Sequence, residues 1–240
     1  MSFRPKWTKS PTIPLMSQLS HNFIDRGLLE KDGRITVTLP ATKELEIQKQ
    51  MLELATQIGR PIATRSGGSV CDVLVPTDSR LARPRSLSNS YSFGAFPFHN
   101  DTAHWATPCH YVMLGCVSPG SSSRPTLLLD VRRVPLTNAD VRLLRTTPFR
   151  VMNGRNSFFS TILSKSREFV RLDRGCMTSV TTAGDSALAI LSAEKCSEFT
   201  GAISWEIGQV LLIDNWWTLH ARASAERLDI DRKLLRISIK

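Results

Sequence analysis

The sequence has no cysteines at redox or zinc-ribbon spacing. Its five, Cys71, Cys109, Cys116, Cys176 and Cys196, are odd in number, widely separated and without a C-x-x-C, which excludes a disulfide framework and leaves buried thiols. No apolar run approaches the length that spans a bilayer, and the opening MSFRPKWTKSPTIP has positive charge with no apolar stretch behind it. Neither a membrane anchor nor a secretory leader is expected, and the expected location is cytoplasmic. There is no repeat of fixed period and no low-complexity tract. Acidic residues are few beside basic ones, 21 against 31, for a formal charge of +10. The basic residues are nevertheless scattered, with mild concentrations at Arg80, Arg83 and Arg85 and from Arg142 to Arg174, and no block of five or more. That pattern suits a solvated basic surface better than a groove built for a polyanion.

What is present is ordinary globular material: 240 residues, 41% hydrophobic and 22% charged, enough for one domain with a single core. Residues 1–30 read as an N-terminal arm. GRITVTL alternates as a strand does. From Thr42 to Ile58, Ile47, Met51, Leu54, Ala55 and Ile58 form one stripe of a 3.6-residue period, with Gly59 placed to end the helix. SVCDVLVP reads as a short strand, and SRLARPRSLSNSYS as a loop. HYVMLGCVSP and PTLLLDVRRV are strand-like runs around GSSS. Thr137 with Asp140 is a capping-box pattern for a helix through Leu144, and a further helix is expected near Ser186 to Cys196. AISWEIGQVLLIDNWWTLH and RKLLRISIK return to strands. Short strands around turns, with two to four helices, point to a sandwich or jelly roll rather than a parallel α/β sheet.

The chemistry-bearing residues begin in FPFHNDTAHW. On a strand or at its end, His99 and Asp101 share a face while Asn100 points away. His220, just after the apolar run GQVLLID, supplies a third donor. Two imidazoles and one carboxylate make the facial triad that holds Fe(II) and leaves positions open. Alone, His99 and Asp101 are better read as a hydrogen-bonded pair at a surface or core edge; the wider constellation favours the metal. His104 and His110 match no zinc spacing, and Trp105, Trp216 and Trp217 are open to core or pocket roles. Downstream, Arg232 and Arg236 lie four apart and share a face if their segment is a strand.

HND, PTLLLD, DNWWTLHAR and DRKLLR, in that order, resemble the taurine dioxygenase and clavaminate synthase-like family of Fe(II)/2-oxoglutarate-dependent oxygenases, over about Ser88 to Lys240. The resemblance implies a double-stranded β-helix (jelly roll, cupin-like), mainly β with flanking helices. It implies Fe(II) on His99, Asp101 and His220, and the cosubstrate 2-oxoglutarate with its far carboxylate on Arg232, assisted by Thr126. Arg is suited to that task because its planar fork donates two parallel hydrogen bonds to a carboxylate. Arg236 is the second candidate for the same anchor, a substrate contact, or an ion-pairing strand residue. Phe98 and Trp105 are expected beside the substrate. With Asp101 in place, the implied reaction uses O2 to hydroxylate, desaturate or cyclise a small amino-acid-like or natural-product metabolite, releasing succinate and CO2; a vacant carboxylate position would have suggested halogenation instead. The partner is then a small molecule, free or tethered to an acidic carrier protein. Two rivals remain: oxidative demethylation of nucleic acid, disfavoured because no closely spaced R-x5-R ending is present and Asp101 and His220 lie 119 positions apart, and a non-catalytic jelly-roll binding protein.

Overall fold

The computed structural model describes residues 13–14 and 24–240, except 85, 123, 165, 167 and 225–228. Most of the expected arm lies outside the described residues. Its last part forms α1 (Arg26–Asp32), capped by the Asp25 carboxylate on the Leu28 N–H and anchored by the fully buried Leu29. Ile13–Pro14 forms β1, paired in parallel with β2 (Arg34–Thr38).

The architecture is mainly β. A seven-stranded sheet runs β1, β2, β12 (Gln209–Asp214), β6 (Tyr111–Ser118), β14 (Lys233–Ile239) and β3 (Pro61–Ile62), with β4 (Cys71–Leu74) also on β14. A four-stranded sheet runs β11 (Thr200–Ile203), β7 (Thr126–Asp130), β13 (Thr218–Arg222) and β5 (Phe96–His99). Apart from β1 with β2, every pairing between these strands is antiparallel.

Strand alternation sorts the apolar residues into layers. On β6, Tyr111 and Met113 face α2 (Glu44–Ile58), whose buried stripe is Ile47, Met51, Ala55 and Ile58. Val112, Leu114 and Cys116 face the other way and join Leu211 and Ile213 of β12, Leu234 of β14 and Leu128 of β7 in a core between the two sheets. Strands covered on both sides need no polar face, which is why β6 and β12 read as continuous apolar runs. A third core lies beyond the small sheet, where Leu129, Leu219 and Ala221 meet α4 (Asn138–Thr146), α5 (Gly184–Ile190) and β8 (Phe149–Asn153). β8 lies between β9 (Asn156–Ser160) and β10 (Met177–Ser179) in a three-stranded sheet. Each fully buried Leu, Ile or Met contributes about 1.5–3 kcal/mol.

Helix α2 and the Thr137–Asp140 capping box form as their patterns predict. Gly59 ends α2 in extended backbone; glycine is required there because a Cβ would sit 2.3 Å from the Lys240 carbonyl oxygen. Three expectations are corrected. The segment expected as a loop contains α3 (Leu87–Tyr91), started by the Ser86 hydroxyl accepting from the Asn89 N–H. The helix expected at Ser186–Cys196 is α5, which stops at Ile190 before a series of turns. The described residues hold five α-helices rather than two to four. None of these helices is long and apolar enough to cross a membrane.

Candidate metal centre

A cavity of about 550 Å³ is lined by residues of both large sheets. At its inner end stand His99 from the end of β5, Asp101 two residues on, and His220 from β13. All three are buried, and one ligand atom of each lies within 4.8 Å of the others. The two histidines are Cα partners across the β5–β13 ladder, with ring centroids 4.3 Å apart. Between them and the next pair, Arg222 with Phe96, the register shifts: three residues of β5 span two of β13, a bulge that brings Phe96 and His99 to one side.

The backbone after His99 is held from several directions. Asn100 turns away, as alternation predicts; its amide donates to the Val170 carbonyl (2.7 Å) and accepts from the Leu172 N–H (2.8 Å). Asn215 accepts from the Asp101 N–H (2.8 Å) and donates to the carbonyls of Asp101 (3.1 Å) and Cys109 (2.8 Å). Thr102, at φ 55, turns the chain after the carboxylate, and its hydroxyl accepts from the Cys109 N–H. The fully buried Arg171 donates to the carbonyls of Ala103, Trp105 and Ala106, clasping the same turn.

The donor set suits a cation. His99 Nδ1 lies 3.0 Å from the Pro97 carbonyl, an acceptor that favours the Nδ1–H tautomer, in which Nε2 keeps its lone pair for a cation. Asp101 Oδ2 and His220 Nδ1 are buried without a hydrogen-bond partner, a costly arrangement unless something else satisfies the site. Burial pushes the His220 imidazole down to about 3, with the neighbouring His99 next in importance, so it is neutral and able to ligate. Burial alone would raise the Asp101 carboxyl, but Arg236 foremost, then His220 and His99, hold it below the usual range and keep it anionic. Two imidazoles and a carboxylate in one buried cluster fit ferrous iron.

Two arginines of the DRKLLR segment line the same cavity. Arg232, just before β14, is buried and lies 3.4 Å from the Thr126 hydroxyl, which also accepts from the Trp205 indole N–H at 2.9 Å. Arg236, on β14, spans two carboxylates, donating to Asp101 (3.0 Å) and to Asp72 of β4 (2.7 Å). Burial works against its charge, but Asp101 and then Asp72 hold it above the ordinary arginine value.

Phe98 and Trp105 do not line this cavity. Phe98, 3% exposed, belongs to the core beyond the small sheet; adjacent strand residues point to opposite faces, so a neighbour of His99 faces outward. Trp105 is carried out of the site by the turn after Asp101 and packs on the inter-sheet core, with Lys240 over its ring. Trp216 stacks on His110, and Trp217 packs against the outer core.

Several functional residues escape sequence reasoning. Arg222 lines the cavity, stacked over Phe96 at 3.5 Å and bonded to the Ser92 and Gly94 carbonyls. Burial, then Arg124 and Arg232, push it down to about 9. The signal was available, since His220 and Arg222 are two apart on one strand. Asn215 and Arg171 had none, because their partners are remote in sequence.

The fold is similar to that of solved non-heme iron oxygenases. In particular, it is similar to asparagine oxygenase solved with Fe(II), 2S,3S-3-hydroxyasparagine and succinate, at TM-score 0.71 and 21% identity over 90% of this chain and 77% of that one. It is also similar to the non-heme iron oxygenase OrfP with Fe and α-ketoglutaric acid (TM-score 0.69, 18% identity, 90% and 77% covered) and with Fe, succinate and (3S)-hydroxy-L-Arg (0.68, 17%, 90% and 79%). No family model and no curated protein matches the sequence.

Proposed function

We propose that the chain is a single jelly-roll domain acting as an Fe(II)- and 2-oxoglutarate-dependent dioxygenase, which hydroxylates an unactivated C–H bond of an amino-acid-like substrate. The observation that carries this reading is the convergence of His99, Asp101 and His220 in one buried cluster, with the Arg232–Thr126 pair in the same cavity. His99, Asp101 and His220 are the iron ligands; when bound, the metal and its cosubstrate supply the oxidising chemistry.

The protein's own work is orientation and exclusion of water. Arg232 presents its fork to the far carboxylate of 2-oxoglutarate. The Thr126 hydroxyl already accepts from Trp205 and Arg232, so its own proton is free to donate to that carboxylate. Arg236 holds Asp101 in its anionic form and orients it, and it faces the space left for substrate. The likeness to an asparagine oxygenase and to OrfP, solved with hydroxylated amino acids, supports an amino-acid-like substrate and hydroxylation as the outcome. A substrate presented by an acidic carrier protein fits the +10 charge.

The test is anaerobic addition of Fe(II) and 2-oxoglutarate. The weak visible charge-transfer band of the chelate is expected, absent in Asp101→Ala and His220→Ala, followed by succinate release under O2 across a panel of amino acids. A protein that gives no band sinks the proposal.

A further inference from the structure

We propose that the mouth of the cavity recognises a second anionic group of the substrate, a carboxylate or a phosphate-type group carried on an apolar spacer, with Arg65 and Arg83 as its receptors. The inference rests on the oxygenase reading of the same cavity and deepens it.

Five arginines line the cavity, Arg65, Arg83, Arg222, Arg232 and Arg236, against one carboxylate, Asp101. A ferrous ion, Asp101 and the dianion of 2-oxoglutarate sum to one negative charge, which Arg232 offsets. Arg236 is offset by Asp72. The fork of Arg222 is occupied by the Ser92 and Gly94 carbonyls and the Phe96 ring. The guanidinium groups of Arg65 and Arg83 remain, and neither makes a hydrogen bond or ion pair among the described residues. Arg80 on the same segment differs, since it is bound by Asp78 and lies outside the cavity lining.

Position agrees with charge. Arg65 senses the charges of Asp72, Arg83 and Arg236, so the two free cations share one electrostatic neighbourhood with the inner site. Beside them the lining contains Val73, Val75 and Leu81, exposed at 51%, 45% and 82%. Apolar side chains left in solvent at a cavity rim mark a surface meant to be covered. A ligand with one end at the iron, a hydrocarbon stretch across these three and an anion at the arginines would satisfy all of them. The cavity of about 550 Å³ falls in the range that holds drug-sized ligands.

The experiment measures binding by anaerobic calorimetry to the full chain loaded with Fe(II) and 2-oxoglutarate. The probes are L-2-aminosuberate, its ω-phosphonate counterpart and its neutral ω-amide. At least one anionic probe is expected to bind about tenfold more tightly than the amide, and the anion preferred assigns the group as carboxylate or phosphate-like. Arg65→Ala and Arg83→Ala should each reduce the preference several-fold and the double variant abolish it, with Arg80→Ala as a neutral control; raised salt should weaken it too. Equal binding of amide and anions, or a preference that survives the double variant, overturns the proposal. So does tight, salt-sensitive binding of single-stranded oligonucleotides that depends on Arg65 and Arg83 while the amino-acid probes show no preference. Failure of the oxygenase reading has a different signature, loss of the chelate band itself.

Discussion

Asn215→Ala tests how the site is held. The side chain is buried and makes three hydrogen bonds with the main chain, from the Asp101 N–H and to the carbonyls of Asp101 and Cys109, besides a longer contact to the Cys109 thiol. Truncation leaves the Asn215 main chain in place, where its N–H still donates to the His110 carbonyl, but strands three buried backbone groups. At about 1 kcal/mol each, the metal-free protein should lose about 3 kcal/mol against urea. The bonds also fix where the Asp101 carboxylate stands, and loss of such support weakens metal affinity by about 10- to 100-fold. Anaerobic titration of the folded variant with Fe(II) reads that second effect separately. A stability loss below about 1 kcal/mol would refute the energetic argument. An unchanged iron affinity in a destabilised protein would show that Asn215 supports the fold without positioning the ligand.

Arg171→Met keeps the bulk between Phe158 and Phe169 but leaves the carbonyls of Ala103, Trp105 and Ala106 unpaired; at about 1 kcal/mol for each, a loss of about 3 kcal/mol is expected by denaturant titration. Arg232→Gln should raise the half-saturating 2-oxoglutarate concentration about 100-fold, and Thr126→Val about tenfold, with Fe(II) affinity unmoved; steady-state succinate assays check both. Burial pushes the Asp214 carboxyl up to about 6, against partial relief from Arg132. An acid whose folded pKa is raised keeps its proton where the unfolded chain has released it. Its contribution to stability is therefore lost as pH rises from about 4 to 6, by about 2–3 kcal/mol. Asp214→Asn should remove that slope in equilibrium unfolding measured across the window.

The sequence was most legible where one local rule decided the outcome. Ile47, Met51, Ala55 and Ile58 could share only a helical face, and the long apolar runs of β6 and β12 announced strands covered on both sides. His99, Asp101, His220, Thr126, Arg232 and Arg236 were all picked out, and the fold brings them to one cavity. What failed was orientation. Proximity to His99 suggests a substrate neighbour in Phe98, yet the two-residue period turns it outward, while Phe96 reaches the cavity through a bulge that no local pattern reveals. β8, β9 and β10 carried too little alternation to be read. Asn100, Asn215 and Arg171 are ordinary polar residues until remote strands bring carbonyls to them, so their roles exist only in three dimensions.

The pairing of His99 with His220 across β5 and β13 joins segments far apart in the chain. Such a ladder closes late, because a long loop must be ordered before its contacts repay the cost. Before that closure only His99 and Asp101 of the three candidate donors are neighbours in the chain. An ion that needs all three residues would bind only where that ladder is closed, and by favouring the folded state alone it would raise the stability of the native chain.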